Sequence, residues 1–106
     1  RQGKLRKESQ FILGIPAREM KAADSDELVL IQGIIDAWFE EKDGLVIVDY
    51  KTDRVKEGEE QTLLDHYQVQ LQYYARALSQ ITGKRVKEAV IYSLTIQKEI
   101  NVPIGQ

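Results

Sequence analysis

The dipeptide Asp43-Gly44 restricts this chain more than any other local feature, because it stands between two runs made of strand-forming residues. Residues 27–41 carry Val29, Ile31, Ile34, Ile35, Trp38 and Phe39, and residues 45–51 carry Leu45, Val46, Ile47 and Val48. Asp-Gly between such runs predicts a β-hairpin, since both residues tolerate the positive φ of a tight two-residue turn. Side chains two apart on a strand share a face. Leu45, Ile47, Asp49 and Lys51 therefore lie on one side, and Val46, Val48 and Tyr50 on the other. With Asp43 and Gly44 as the turn, Lys42 pairs with Leu45, Trp38 with Asp49, and Asp36 with Lys51. Paired residues project to the same face, so Asp36, Asp49 and Lys51 converge, with Asp36 opposite the lysine and diagonal to Asp49 at roughly 7–8 Å. A slip of one residue would send Asp36 across the sheet.

The rest of the chain supplies partners for that hairpin. Residues 10–15 predict a short strand ending before Pro16, and residues 17–26 a polar loop. Residues 52–62 are polar, without periodicity, and predict an exposed loop. From Leu63 the period changes: Leu64, Tyr67, Leu71, Tyr74, Leu78 and Ile81 recur at three- and four-residue steps, the stripe of an amphipathic helix that Gly83 closes. Residues 86–94 and 98–102 return to strand composition. The order of strand, hairpin, helix, strand, strand predicts an α/β domain with a mixed sheet and one packed helix.

Composition narrows the chemistry. A chain of 106 residues makes one domain, 1–106. It has no cysteine, so thiolate zinc sites, iron–sulfur clusters and disulfides are excluded, and any metal must be held by oxygen or by His66. No apolar run has the roughly 18–20 residues of a membrane span, and no signal-type stretch follows the basic start. Residues 1–7 hold four bases and no acids, residues 8–50 three bases against ten acids, and residues 67–106 five bases against two acids. With a net charge of −2, binding of nucleic acid by bulk charge is excluded, and any contact with DNA must be made at a site.

The chemically odd feature is a pair of carboxylates, Asp36 and Asp49, inside strands otherwise made of Val, Ile and Leu. Burying two like charges is costly unless a cation neutralises them or one takes up a proton. Oxygen ligands favour a hard ion such as magnesium, manganese or calcium. A cross-strand ion pair between Lys51 and Asp36 accounts for the same residues equally well. Asp24, Asp26 and Glu27 do not make a calcium loop, because the required glycine and distal glutamate are missing.

Three spaced motifs add to this reading. Gly33-Ile34-Ile35-Asp36, then Asp49-Tyr50-Lys51-Thr52-Asp53 beyond the hairpin, resemble the G-x-x-D and D-Y-K-T signatures of RecB-type nucleases of the PD-(D/E)XK superfamily. Tyr67, Gln70 and Tyr74 match the Y-x-x-Q-x-x-x-Y helix of that branch. The run from Val48 to Arg54 and that from Gly33 to Trp38 look most like the nuclease domains of the AddA (RexA) type, and Glu8-Ser9-Gln10-Phe11 resembles a degraded R-E-x-P-F strand. The resemblance implies a restriction-endonuclease-like fold. It also implies Asp36, Asp49 and the Tyr50 carbonyl as ligands of Mg2+ or Mn2+, Lys51 as the catalytic amine beside them, and Tyr67, Gln70 and Tyr74 as a supporting helix. Its substrate would be DNA, its partner an AddB/RexB-type subunit, and its setting double-strand break repair in the bacterial cytoplasm. The alternatives are a phage-type exonuclease of the same branch and a catalytically silent docking or DNA-guiding module.

The departures from the pattern are specific. The family's upstream histidine ligand has no counterpart, and His66 beside the Tyr67 helix reads as a surface residue. Gly83-Lys84-Arg85 lacks the earlier glycine and the hydroxyl residue of a phosphate loop, so ATP would be bound only in a helicase part elsewhere. The expectation is a piece of a larger polypeptide. Arg54 reads as a solvated arginine, and Asp53 as lying off the catalytic row.

Overall fold

The computed structural model describes residues 5–20 and 26–104; Asp24 and the first four residues of the basic start lie outside them. Five strands form one sheet in sequence order: β1 (Leu5–Pro16), β2 (Leu28–Glu41), β3 (Gly44–Lys51), β4 (Val86–Ser93) and β5 (Lys98–Val102). The β3–β4 pair is parallel and joined through helix α1 (Glu60–Thr82), while the other pairs are antiparallel. The mixed sheet with one packed helix predicted from the sequence is therefore present. A short 3-10 helix, Ala17–Met20, occupies the start of the expected 17–26 loop. No helix among the described residues is long and apolar enough to cross a membrane.

One core holds α1 to the sheet. Leu63, Leu71, Ala75 and Leu78 of the helix are buried against Phe11, Leu13, Ile15, Ile35, Leu45, Ile47 and Ile91 of the strands. Each fully buried Leu or Ile contributes about 1.5–3 kcal/mol. The expected stripe is only partly the buried one. Ile81 is 61% exposed, and Leu63 and Ala75, outside the expected stripe, are buried. Gly83 ends the helix at φ 71°, its N–H donating to the Ser79 carbonyl at 2.9 Å.

Three boundaries differ from the sequence reading, each for a physical reason. β1 begins at Leu5 rather than residue 10, because its first half is exposed and pairs with β2 through its backbone without an apolar alternation. α1 begins at Glu60 rather than residue 63. Its first turn is solvent-facing, and the Glu59 and Glu60 side chains accept hydrogen bonds from the Lys56 and Gly58 amides at 2.7 and 3.0 Å. The hairpin turn is Lys42-Asp43, not Asp43-Gly44: Glu41 pairs with Gly44, Trp38 with Ile47 and Ala37 with Val48. Gly44 belongs to the strand through its pairing with Glu41, and a Cβ there would meet the Arg85 carbonyl oxygen and the Lys87 Cβ, each at 3.0 Å. Close approach of β4, not turn geometry, explains this glycine.

Candidate active site

The corrected register moves every β2–β3 pair by two residues, which preserves faces. It removes the expected Asp36–Lys51 pairing, however. The ladder stops at Ala37–Val48, and Asp36 stands beyond its end, at the level of Asp49. Here β2 also changes phase: Ile35 belongs to the core, and both Ile31 and Trp38 pack against it although they differ in parity. On the facing strand Glu8 has φ 51° and is skipped between the Lys7–Ala37 and Ser9–Ile35 pairs. Asp36 sits at this irregularity, opposite the skipped Glu8 and one residue beyond the last β2–β3 pair.

The opening leaves backbone groups for other use. The Tyr50 N–H donates to Asp36 Oδ2 at 3.0 Å, whereas the Lys51 carbonyl accepts from the Leu94 N–H at 3.0 Å on the β4 side. A strand residue's N–H and C=O point to the same edge. The Tyr50 carbonyl thus faces the gap that holds Asp36, beyond the last β2 pair. A shallow groove lined by Lys7, Glu8, Asp36, Ala37 and Tyr50 opens there.

Asp49 is the buried member of the pair, with 3% of its surface exposed. Burial pushes its carboxyl pKa up to about 6, and the adjacent Asp36 carboxylate pushes the same way, against the pull of Lys51. Lys51 Nζ lies 2.9 Å from Asp49 Oδ2. The approach is ionic and lacks the angles of a hydrogen bond, so this buried oxygen has no hydrogen-bond partner. That orphaned oxygen fits a divalent cation: Asp36 and Asp49 carboxylates with the Tyr50 carbonyl are hard donors around one gap. Among the described residues there is no group of three or more His, Cys, Asp or Glu that could hold a metal ion.

Helix α1 closes the other side of Lys51. Its ammonium donates to Gln70 Oε1 at 3.3 Å and lies 4.0 Å from the centre of the Tyr67 ring. Gln70 Nε2 donates in turn to the Tyr74 hydroxyl at 3.0 Å. Burial alone would lower the lysine pKa, but the Asp49 carboxylate outweighs it and holds the ammonium above its ordinary value. Tyr74 packs edge-on against Phe11 at 5.2 Å, and both rings press on Gly33, where a Cβ would meet each at 3.1 Å. The motif glycine three residues before Asp36 is thus the clearance that lets the helix aromatic reach the site.

All six side chains singled out from the sequence, Asp36, Asp49, Lys51, Tyr67, Gln70 and Tyr74, meet in this cluster, and Tyr50 contributes its backbone. Sequence reasoning set Asp53 aside, yet both its carboxylate oxygens accept from the Tyr67 hydroxyl, at 3.1 and 2.9 Å. Its place in the matched run was the only signal. Arg54 is exposed, as is His66, whose ring lies 6.0 Å from that of Tyr67.

Comparison with known proteins identifies the family. Residues 3–103 match the family described as the PD-(D/E)XK nuclease superfamily. The chain is 40% identical over 134 residues to the A-type subunit of the ATP-dependent helicase/nuclease of Lachnoclostridium phytofermentans, covering 94% of this chain and 10% of that protein. The protein of the same name from Clostridium perfringens (strain SM101) is 45% identical over 104 residues, covering 93% and 8%. That of Acetivibrio thermocellus is 46% identical over 93 residues, covering 83% and 7%. The chain therefore spans about a tenth or less of the length of these relatives.

Proposed function

This chain belongs to the PD-(D/E)XK nuclease superfamily, and from that premise we propose that it is the nuclease domain of an AddA-type helicase-nuclease, hydrolysing DNA phosphodiester bonds with Mg2+ or Mn2+. The observation that carries the reading is the orphaned Asp49 Oδ2, buried beside a second carboxylate and an ammonium. One ammonium does not compensate two adjacent carboxylates, one of them buried, and a divalent cation would supply the missing charge.

Asp36, Asp49 and the Tyr50 carbonyl would hold the cation, which when bound would acidify a water and offset charge growing on the phosphate oxygens. Lys51, kept as an ammonium by Asp49, acts as a fixed positive charge toward the developing phosphorane rather than as a base. Gln70 and Tyr74 fix the direction of that ammonium by a hydrogen-bond chain. Phosphate loop chemistry with ATP, an AddB/RexB-type partner, and double-strand break processing in the bacterial cytoplasm belong to the whole polypeptide in this reading.

Calorimetric titration tests the metal site. Saturable binding of Mn2+ or Mg2+ by the wild-type protein is expected, together with its loss in Asp49→Ala. Identical isotherms for the two proteins would end the proposal.

A further inference from the structure

The sequence reading treated residues 52–62 as an exposed loop, but Asp53 is built into the site from two directions. Its side chain is half-buried and receives the Tyr67 hydroxyl on both oxygens, at 3.1 and 2.9 Å. Its backbone carbonyl accepts from Thr95 Oγ1 at 2.9 Å, and Thr95 Oγ1 lies 3.2 Å from the Oγ of buried Ser93. Ser93 is the residue that pairs with Lys51 across the parallel β3–β4 ladder. The loop is thus tied to the strand end that registers the lysine, and from there reaches across to the ring beneath the lysine's ammonium.

We infer that Asp53 is a positioning residue for Lys51, acting through Tyr67: it locks the ring whose face carries the ammonium and makes that face more negative. The inference rests on the nuclease reading for its catalytic consequence, though not for its geometry. A lysine side chain is a flexible four-carbon stem with about 2 kcal/mol of rotamer entropy. Three surfaces define where its charge sits here: Asp49 Oδ2 at 2.9 Å, Gln70 Oε1 at 3.3 Å and the Tyr67 ring at 4.0 Å. The Asp49 contact is ionic and the Gln70 contact a single hydrogen bond, so the ring is the third surface that limits where the ammonium can sit. A phenol that donates to a carboxylate gains electron density on its ring, and an ammonium over that ring is attracted more strongly. The Asp53 bond also holds the phenol in its neutral form, as the raised Tyr67 pKa reflects.

Two readouts test this in parallel on Asp53→Ala, Asp53→Asn, Tyr67→Phe and the double variant Asp53→Ala/Tyr67→Phe. In carbon-edited NMR the Lys51 ε-methylene protons of the wild type should be shifted upfield by the ring current of Tyr67. Asp53→Ala should reduce that shift by about half or more, and Asp53→Asn, whose amide oxygen still accepts, should keep most of it. In cleavage of linear DNA, Asp53→Ala and Tyr67→Phe should each lower kcat on the order of tenfold, with KM and melting temperature unchanged. The double variant should lose no more than either single one, and Asp53→Asn should recover part of the rate. An unchanged Lys51 shift in folded Asp53→Ala, an unchanged kcat where Lys51→Ala is inactive, or multiplicative losses in the double variant would overturn the inference. Wild-type protein that binds no metal and cuts no DNA defeats the nuclease reading instead, and the NMR comparison then still decides whether Asp53 sets the lysine's position.

Discussion

The hairpin of β2 and β3 carries charged clusters at both ends, made of the same residue types, and they behave oppositely. At the tip, Lys87 pairs with Glu41 at 2.7 Å and Asp43 at 2.6 Å, and Lys84 pairs with Glu40 at 2.8 Å. At the open end, Asp49 alone pairs with the Lys51 ammonium, and Asp36 beside it accepts from the Tyr50 N–H. The partners formed at the tip drive the Asp43 pKa down and the Lys87 pKa up, while burial at the other end drives Asp49 up. The lesson is that solvation, not the count of charges, separates a surface network from a site. Water screens and completes the tip; the helix withholds it from Asp49.

The sharpest way to break that contrast is to remove the ammonium that pairs with Asp49. Lys51→Ala is expected to lower the rate of linear DNA cleavage by about 10²–10³, the usual cost of deleting a preorganised charge stabiliser. A melting curve close to wild type would show that the loss is chemical. Retained activity would take Lys51 out of the mechanism.

Gly33→Ala tests the clearance between Phe11 and Tyr74. A Cβ at 3.1 Å from both rings must displace one of them, at a cost of about 1–3 kcal/mol in denaturant unfolding. The Gln70–Tyr74 hydrogen bond should loosen with it, so cleavage should fall in the same variant. Wild-type stability and activity together would show that the aromatic pair yields freely.

Acid sharpens the same comparison at the buried end. An ordinary aspartate pKa is near 3.8 and Asp49 titrates at about 6, so the folded state holds this proton more tightly than the unfolded chain. Without metal, the contribution of Asp49 to stability is therefore greatest below about pH 4 and declines as pH rises through about 6. Cation binding needs the deprotonated form, so Mn2+ affinity should fall about tenfold per pH unit below 6. A flat affinity from pH 5 to 7 would separate Asp49 from the metal. The smallest effect is expected at the tip: Lys87→Ala should leave metal binding and cleavage at wild-type values, and a fall in either would mean that the two ends are coupled.

What could be read from residues alone was whatever obeys short periods. The alternation of β3 identified the face shared by Asp49 and Lys51, and the three- and four-residue steps of α1 put Tyr67, Gln70 and Tyr74 in line, because backbone geometry repeats whatever surrounds it. Spacing also linked the three motifs of the family. The turn was misread by one residue because Asp-Gly signals a geometry the chain did not adopt; Gly44 answers to β4, some forty residues away in sequence. Parity survived that error, so the face assignment survived too. The hairpin pattern already predicted that Asp36 and Asp49 converge; only the tertiary structure set Asp36 level with Asp49 and not opposite Lys51, since that depends on the register and on where the β2–β3 ladder ends. Asp53 likewise gained its role from contacts with α1 and with the segment after β4. Local pattern sets which side a residue points to; burial, partners and the orphaned oxygen arise only when distant segments exclude water together.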